Sequence, residues 1–315
     1  MLTARPQAGA VAELCSPPEL PRAKRHRWRE LAEAAPFIGP TALGLFVFFL
    51  GPVVAAFVLG FTEWNVFTPP QWVGFASFSQ LFNEPMFGQI VTNTVVYIAV
   101  TVPLSTVLGF FAALMFLRET RLSRFYRVLV FMPVVPSAVS VGLIWMALMQ
   151  PQFGVINYLL KSVGLGQPGW LASTTWALPA IIIVSIWRNI GYNMIIYIGG
   201  LKGVSAELLE AGELDGAGYW RRVRYLILPL TSPTTFFAVI VGLIGSFQVF
   251  DLTYIMTSGG PGYSTNTLPF YIYQQGFQDF SFGTASAAGD ILFLLTAAIV
   301  GIGFVLQKRL VFYGD

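Results

Sequence analysis

The sequence predicts an all-α, polytopic membrane protein with six transmembrane helices and both termini in the cytoplasm. Three observations predict it: too little charge for a water-facing exterior, six apolar stretches of membrane-spanning length, and basic residues confined almost entirely to alternate connections. Of 315 residues, 55% are hydrophobic and 10% charged, with a mean hydropathy of +0.68. A soluble domain carries roughly 25% charged residues, because water has to wet its surface. This chain falls far short of that, so lipid must surround most of it.

Scarcity excludes some chemistry as well. The single cysteine, Cys15, rules out an intrachain disulfide and any cysteine-cluster metal site. The single histidine, His26, stands in a basic run with Arg25, Arg27 and Arg29, which leaves no histidine-based zinc site or catalytic triad. No catalytic residue, no metal set and no nucleic-acid partner is predicted.

Residues 1–35 carry Pro6, Pro17, Pro18 and Pro21 among Arg22, Lys24, Arg25, Arg27 and Arg29. No apolar core precedes Cys15, so the segment reads as a disordered basic cytoplasmic tail rather than a signal peptide. The remainder, 36–315, reads as one membrane domain.

A hydrocarbon core about 30 Å thick takes about 20 helical residues to cross. Six stretches qualify: roughly 37–61, 90–117, 127–149, 176–199, 231–256 and 287–307. Pro133 and Pro136 are expected to kink the third near its cytoplasmic end, since proline removes a helical hydrogen bond and clashes with the preceding turn. Orientation follows from lysine and arginine. The tail holds six, residues 118–127 four, the 200–230 connection four and the C-terminus two, which places 16 of 18 on one side. Positive loops stay in the cytoplasm.

The 200–230 connection is the most informative stretch. Residues 205–215 have helical spacing: Ser205 is placed to cap, Glu207 lies in the first turn where the helix dipole favours an anion, and Leu208, Ala211 and Leu214 form an apolar line. Gly216 and Gly218 can end the helix, and a basic helix is expected from Tyr219 to just before Pro229. Two short helices with small Ala211 and Gly212 on the first suit insertion into a partner's groove. An amphipathic connector on lipid headgroups is the plainer reading. Such helices usually carry a basic polar face, whereas 205–215 holds three glutamates and one aspartate without a base.

A polar residue inside a span is costly and therefore a candidate site. Ser185, Arg188, Asn189 and Tyr192 fall at i, i+3, i+4 and i+7 of the fourth span, forming one polar stripe with donors, acceptors and an aromatic face. Taken singly, Ser185, Asn189 and Ser246 read as hydrogen-bonding glue between helices; the stripe together reads as a solute pathway. Arg188 either meets an anionic substrate or pairs with an intramembrane acid, Asp251 being nearest by span adjacency and counted with the pathway residues. Asp290 is expected to snorkel outward, and Trp145, Trp170 and Trp176 to mark the interfacial belt.

These residues carry a resemblance. Glu210-Ala211-Gly212-x-x-Asp215-Gly216-Ala217, followed by Pro229, looks like the cytoplasmic "EAA" loop of binding-protein-dependent ABC importers, with Gly212 where the family usually has alanine. Met256–Pro261, Ser264–Leu268 and Tyr271–Tyr273 resemble the external segment of the carbohydrate branch, which includes maltose-type and glycerol-3-phosphate-type importers. The resemblance runs from about residue 37 to the C-terminus. It implies a type I importer permease fold in a bacterial-type inner membrane and a sugar or related polyol or oligosaccharide as solute. It also implies a second homologous permease subunit, two ATPase subunits and an extracytoplasmic solute-binding protein as partners. Glu210, Ala211, Gly212, Asp215, Gly216, Ala217 and Pro229 would couple to the ATPase, the 205–219 helix acting as a lever. Ser137, Gly242, Ser246 and Val249 would join the 185–192 stripe along the pathway. Val249 is apolar where the maltose-type subunit is polar, which points away from maltose. No G-x-x-x-x-G-K-[ST] phosphate loop occurs in the sequence, so ATP and magnesium would sit on the partner ATPase and this chain would be no enzyme. The competing reading is an ion-coupled secondary transporter, for which only Asp251 and Asp290 offer titratable groups in the spans.

Overall fold

The computed structural model describes residues 26–117 and 119–312. Residues up to Val54 and those from Ala55 onward form two compact units. α1 (His26–Leu45) runs through a π turn, Phe46–Leu50, into α2 (Gly51–Leu59). The helix therefore starts inside the stretch expected to be tail, as the arginine, glutamate, leucine and alanine of residues 27–35 favour. Residues 1–25 of the expected tail lie outside the described residues.

In the second unit, a two-residue hairpin, β1 (Thr62–Glu63) against β2 (Gln71–Trp72), leads to α3 (Ala76–Asn83) and the long α4 (Phe87–Met115). α5 (Arg121–Phe131) and α6 (Ala138–Leu148) follow, then a short α7 (Val155–Ser162) and the long α8 (Ala177–Lys202). α9 (Ala206–Leu214) precedes α10 (Tyr219–Arg222), a π turn and α11 (Leu228–Leu230). α12 (Ser232–Ser246), α13 (Asp251–Met256), α14 (Leu268–Tyr273) and α15 (Phe282–Leu310) complete the chain.

Four helices among the described residues are long and apolar enough to cross a membrane: Ala34–Leu59, Phe87–Met115, Ala177–Lys202 and Phe282–Arg309. The expected third span is instead broken, and the expected fifth begins at a bend. Arg121–Val134 and Ala138–Leu148 meet at 95°, and Tyr219–Leu230 and Ser232–Ser246 at 67°. The first break corrects the expectation of a mere kink. Pro133 and Pro136 bracket it, Met132–Val134 tightens to a 3₁₀ turn, and Ser137 restarts a helix by accepting a bond from the Ser140 amide at 3.2 Å. The expected span 231–256 is corrected too, because its helix stops at Ser246 and restarts at Asp251.

α4 and α8 form the centre, and the sequence allows them to touch. Gly109 on α4 faces Asn193 on α8 so closely that an added Cβ would overlap the Asn193 Cβ and sit 3.1 Å from the Met194 amide nitrogen. Small residues at such crossings let backbones approach, the principal route to tight packing where lipid removes the hydrophobic drive. Gly109→Val is expected to cost about 1–3 kcal/mol, as overpacking generally does, and to lower the melting temperature of the detergent-solubilised protein.

Two opposite ends of the second unit are defined by bonds between distant segments. At one end Lys202 meets Glu119 at 2.7 Å, joining the end of α8 to the α4–α5 connection. This lysine holds the exposed Glu119 carboxyl below the usual carboxylate range. Arg127 Nε and Nη2 donate to the Phe116 and Leu117 carbonyls at 2.7 and 2.9 Å, capping α4. At the other end the Phe282 and Gly283 amides donate to the Trp64 carbonyl, and the Tyr271 hydroxyl donates to Glu84. Burial first, then the Glu84 carboxylate, raises the Tyr271 phenol well above its ordinary value, so it stays a donor.

Candidate functional site

A cavity of about 400 Å³ opens between α4, α8, α12 and the break that follows α12. Eight of the nine residues expected along the solute pathway line it: Ser185, Arg188, Asn189 and Tyr192 from α8, Gly242 and Ser246 from α12, Val249 from the break and Asp251 from α13. Ser137 does not. Its hydroxyl is spent on the N-cap of α6, 3.0 Å from the Ser140 hydroxyl. Ser185 is buried and donates to the Ile181 carbonyl at 2.8 Å, so its hydroxyl serves its own helix first.

Broken helix at membrane depth is tolerated only where protein covers it or a cavity solvates it. Here the Val249 carbonyl is recovered by the Thr267 hydroxyl at 3.2 Å, while residues 248–252 form part of the cavity lining. Irregular backbone and cavity thus account for each other.

Arg188 and Asp251 reach the same cavity but form no ion pair, the two salt bridges among the described residues being Lys202–Glu119 and Arg222–Glu213. Asp290 departs from expectation. It is 6% exposed rather than snorkelling, and its Oδ2 has no hydrogen-bond partner among the described residues. The absence of a side chain at Gly60 leaves room for it. Trp170 is likewise no belt residue, being buried with its indole donating to Asn157 at 2.7 Å.

Tyr97, Ser105, Asn193 and Gln248 line the cavity without having been singled out from the sequence. A signal was available on α4, where Asn93, Tyr97, Thr101 and Ser105 recur every fourth residue and all are buried. A polar stripe at that spacing inside an apolar helix is the pattern that marked α8.

The expected coupling segment forms a second site. α9 is preceded by Ser205, which occupies the N-cap without a side-chain bond. Its end is a Schellman turn: the Ala217 amide donates to the Gly212 carbonyl at 2.9 Å and the Gly216 amide to the Glu213 carbonyl at 3.0 Å. Gly216 sits at φ +75°, the left-handed region glycine enters without penalty. The return helix packs onto α9 through Leu226, whose Cδ1 would lie 2.7 Å from a Cβ at Gly212. Arg222 clamps Glu213 at 2.6 Å.

Pro229 does not stop this helix as expected. The π turn Val223–Ile227 precedes it, so Pro229 falls in the first turn of a new segment, where a missing amide is tolerated. None of α9 is buried, and Leu214 is 90% and Leu208 49% exposed. The apolar line Leu208, Ala211 and Leu214 is therefore left uncovered by the described residues, and Glu207 and Glu210 are exposed with it.

The chain is similar to known proteins over most of its length. A sequence profile of the family described as "binding-protein-dependent transport system inner membrane component" matches residues 105–312. A probable ABC transporter permease protein of Pyrococcus horikoshii is 33% identical over 261 residues, covering 82% of this chain and 89% of its own. The lactose transport system permease protein of Rhizobium radiobacter is 33% identical over 280 residues, 87% of this chain and 93% of its own. An sn-glycerol-3-phosphate transport system permease protein of Agrobacterium fabrum is 28% identical over 281 residues, 88% of this chain and 95% of its own. In fold, the chain superposes on the crystal structure of a bacterial ABC transporter that imports the acidic polysaccharide alginate. The TM-score is 0.78 at 23% identity, covering 90% of this chain and 98% of that one.

Proposed function

The chain belongs to the family of binding-protein-dependent transport system inner membrane components, and on that premise we propose that it conducts a sugar across the inner membrane for an ATP-driven importer. The bent pair Arg121–Val134 and Ala138–Leu148 counts as one crossing and α12 with the segment after it as another, the helix before α12 staying on the cytoplasmic face, which gives six spans with both termini in the cytoplasm. Sixteen of the 18 lysines and arginines then lie on the cytoplasmic side. A second, similar permease subunit completes the pathway, and an extracytoplasmic binding protein delivers solute to it. Two ATPase subunits hold ATP and magnesium.

The observation that carries the reading is α9: an acidic, unburied helix held at a fixed angle by Leu226, Arg222 and a glycine turn, with its apolar line uncovered. A helix so presented fits a groove in another protein. Glu210, Ala211, Gly212, Asp215, Gly216 and Ala217 form the inserted end, and Pro229 lies in the return helix that joins it to α12. Rotation of that end on ATP binding then swings α12, one wall of the cavity. The cavity residues from α8 and α12 meet the sugar on its way through. Relatives named for lactose and for sn-glycerol-3-phosphate transport support a polyhydroxylated solute.

Reconstitution in liposomes tests this. Uptake of solute into vesicles should require the binding protein outside, the partner permease and the ATPase with ATP inside. Uptake that persists on an ion gradient without ATPase would return the reading to a secondary transporter.

A further inference from the structure

The cavity wall carries one guanidinium and one carboxylate. Every other lining residue is uncharged, including Asn189, Tyr192, Ser246 and Gln248. Arg188 is half-buried and Asp251 exposed, and neither is engaged in an ion pair among the described residues. An isolated arginine at this depth would attract an anion strongly, since little water solvates either charge. A carboxylate on the same cavity changes that. A space of about 400 Å³ is comparable in width to one Debye length, about 8 Å at physiological salt. A solute between the two groups therefore feels both.

We propose that Asp251 is a charge filter that makes this cavity select uncharged saccharides over sugar acids and phosphorylated or sulfonated sugars. This rests on the cavity being the solute pathway. For a neutral sugar the two charges are assets: Asp251 accepts from hydroxyls, Arg188 donates to them, the amides of Asn189 and Gln248 do either, and Tyr192 offers a ring face to C–H groups. For an anion, attraction to Arg188 is offset by repulsion from Asp251 and by water lost from both. The relatives named above include permeases for a neutral disaccharide and for a phosphorylated polyol, so the family alone does not decide the matter.

The test reads binding in the cavity apart from the binding protein, which would otherwise impose its own selection. The chain, assembled with its partner subunits in lipid nanodiscs, is titrated with maltotriose and with trigalacturonate by saturation-transfer difference NMR. The wild type should favour maltotriose by about tenfold, equivalent to about 1.4 kcal/mol. Asp251→Asn and Asp251→Ser should bring trigalacturonate to within about threefold of maltotriose, as removing a like charge does, while Asp251→Glu keeps the wild-type preference. Adding Arg188→Gln to Asp251→Asn should remove that gain. Equal binding of the two probes by the wild type, or an unchanged ratio in both Asp251→Asn and Asp251→Ser, overturns the filter. Ser246→Trp, which fills the cavity, should abolish both signals. If both signals survive it, the pathway reading fails and takes the filter with it; if both vanish while the Asp251 variants leave the ratio unchanged, the filter alone fails.

Discussion

Replacing Glu210 with alanine should leave the protein inserted, folded and assembled with its partner permease, yet reduce ATP-driven uptake at least thirtyfold. The fold loses little by the change, because the Glu210 side chain is exposed and has no hydrogen bond or ion pair among the described residues. A groove that receives α9 loses a carboxylate at its centre, and truncating a central interface residue costs about 2 kcal/mol or more, a factor of about 30. Gly216→Val should act by a different route. A β-branched residue at φ +75° costs about 1–2 kcal/mol, which would open the Schellman turn and turn α9 away from its groove. Uptake and solute-stimulated ATP hydrolysis are measured together with size-exclusion profiles of the assembled complex. Full uptake by the Glu210 variant would remove α9 from the coupling role, and loss of the monodisperse complex would make the residue structural instead.

Much of this arrangement was legible in the residues, and for identifiable reasons. Long apolar runs without a competing period have one stable solution in lipid, so four spans lie within a few residues of where hydropathy placed them. α9 could be read because its signals are local: a first-turn glutamate, helical spacing, and glycines at the positions a left-handed terminus requires. The break at Pro133–Ser137 was visible in outline, since proline acts on its own neighbourhood. Its 95° angle was not, because that depends on what the two halves pack against.

The break after Ser246 was hidden for the opposite reason. Phe247-Gln248-Val249-Phe250 contains neither glycine nor proline, and nothing in its local chemistry forbids helix. The interruption depends on a residue distant in sequence, Thr267, which satisfies the Val249 carbonyl in place of the helix. The same holds for Asp290. Its burial follows from a residue 230 positions away having no side chain, a relation that no window of sequence contains. The helix carries on past Pro229 because of the π turn ahead of it, which leaves no compositional mark.

Asn93→Leu is the second substitution from which a large effect is expected, at the opposite end from α9. Asn93 reaches from α4 into the 257–267 loop, its amide donating to the Tyr263 carbonyl at 2.8 Å and the Asn266 carbonyl at 2.9 Å. The next residue, Thr94, accepts from the Leu268 amide at 2.9 Å. The loop holds itself through Thr257 and Thr265, whose hydroxyls meet at 2.7 Å, and Asn266 donates to Gln274. Leucine preserves volume but leaves two carbonyls without their donor. Each buried, unpaired group costs about 1–3 kcal/mol, so the loop should lose about 2–6 kcal/mol of local stability. Hydrogen exchange at the Thr265 and Leu268 amides should then quicken by at least about thirtyfold, while exchange in α9 stays unchanged. The cavity should respond as well, because Thr267 is both the loop's last residue and the donor to the Val249 carbonyl. A loosened loop frees the segment that carries Val249 and Asp251, and solute affinity falls with it. Unchanged exchange would mean that Asn93 is dispensable and that the apolar cluster of Leu81, Phe87, Ile90 and Leu268 holds this end alone. Faster exchange with unchanged affinity would separate the loop from the cavity it adjoins.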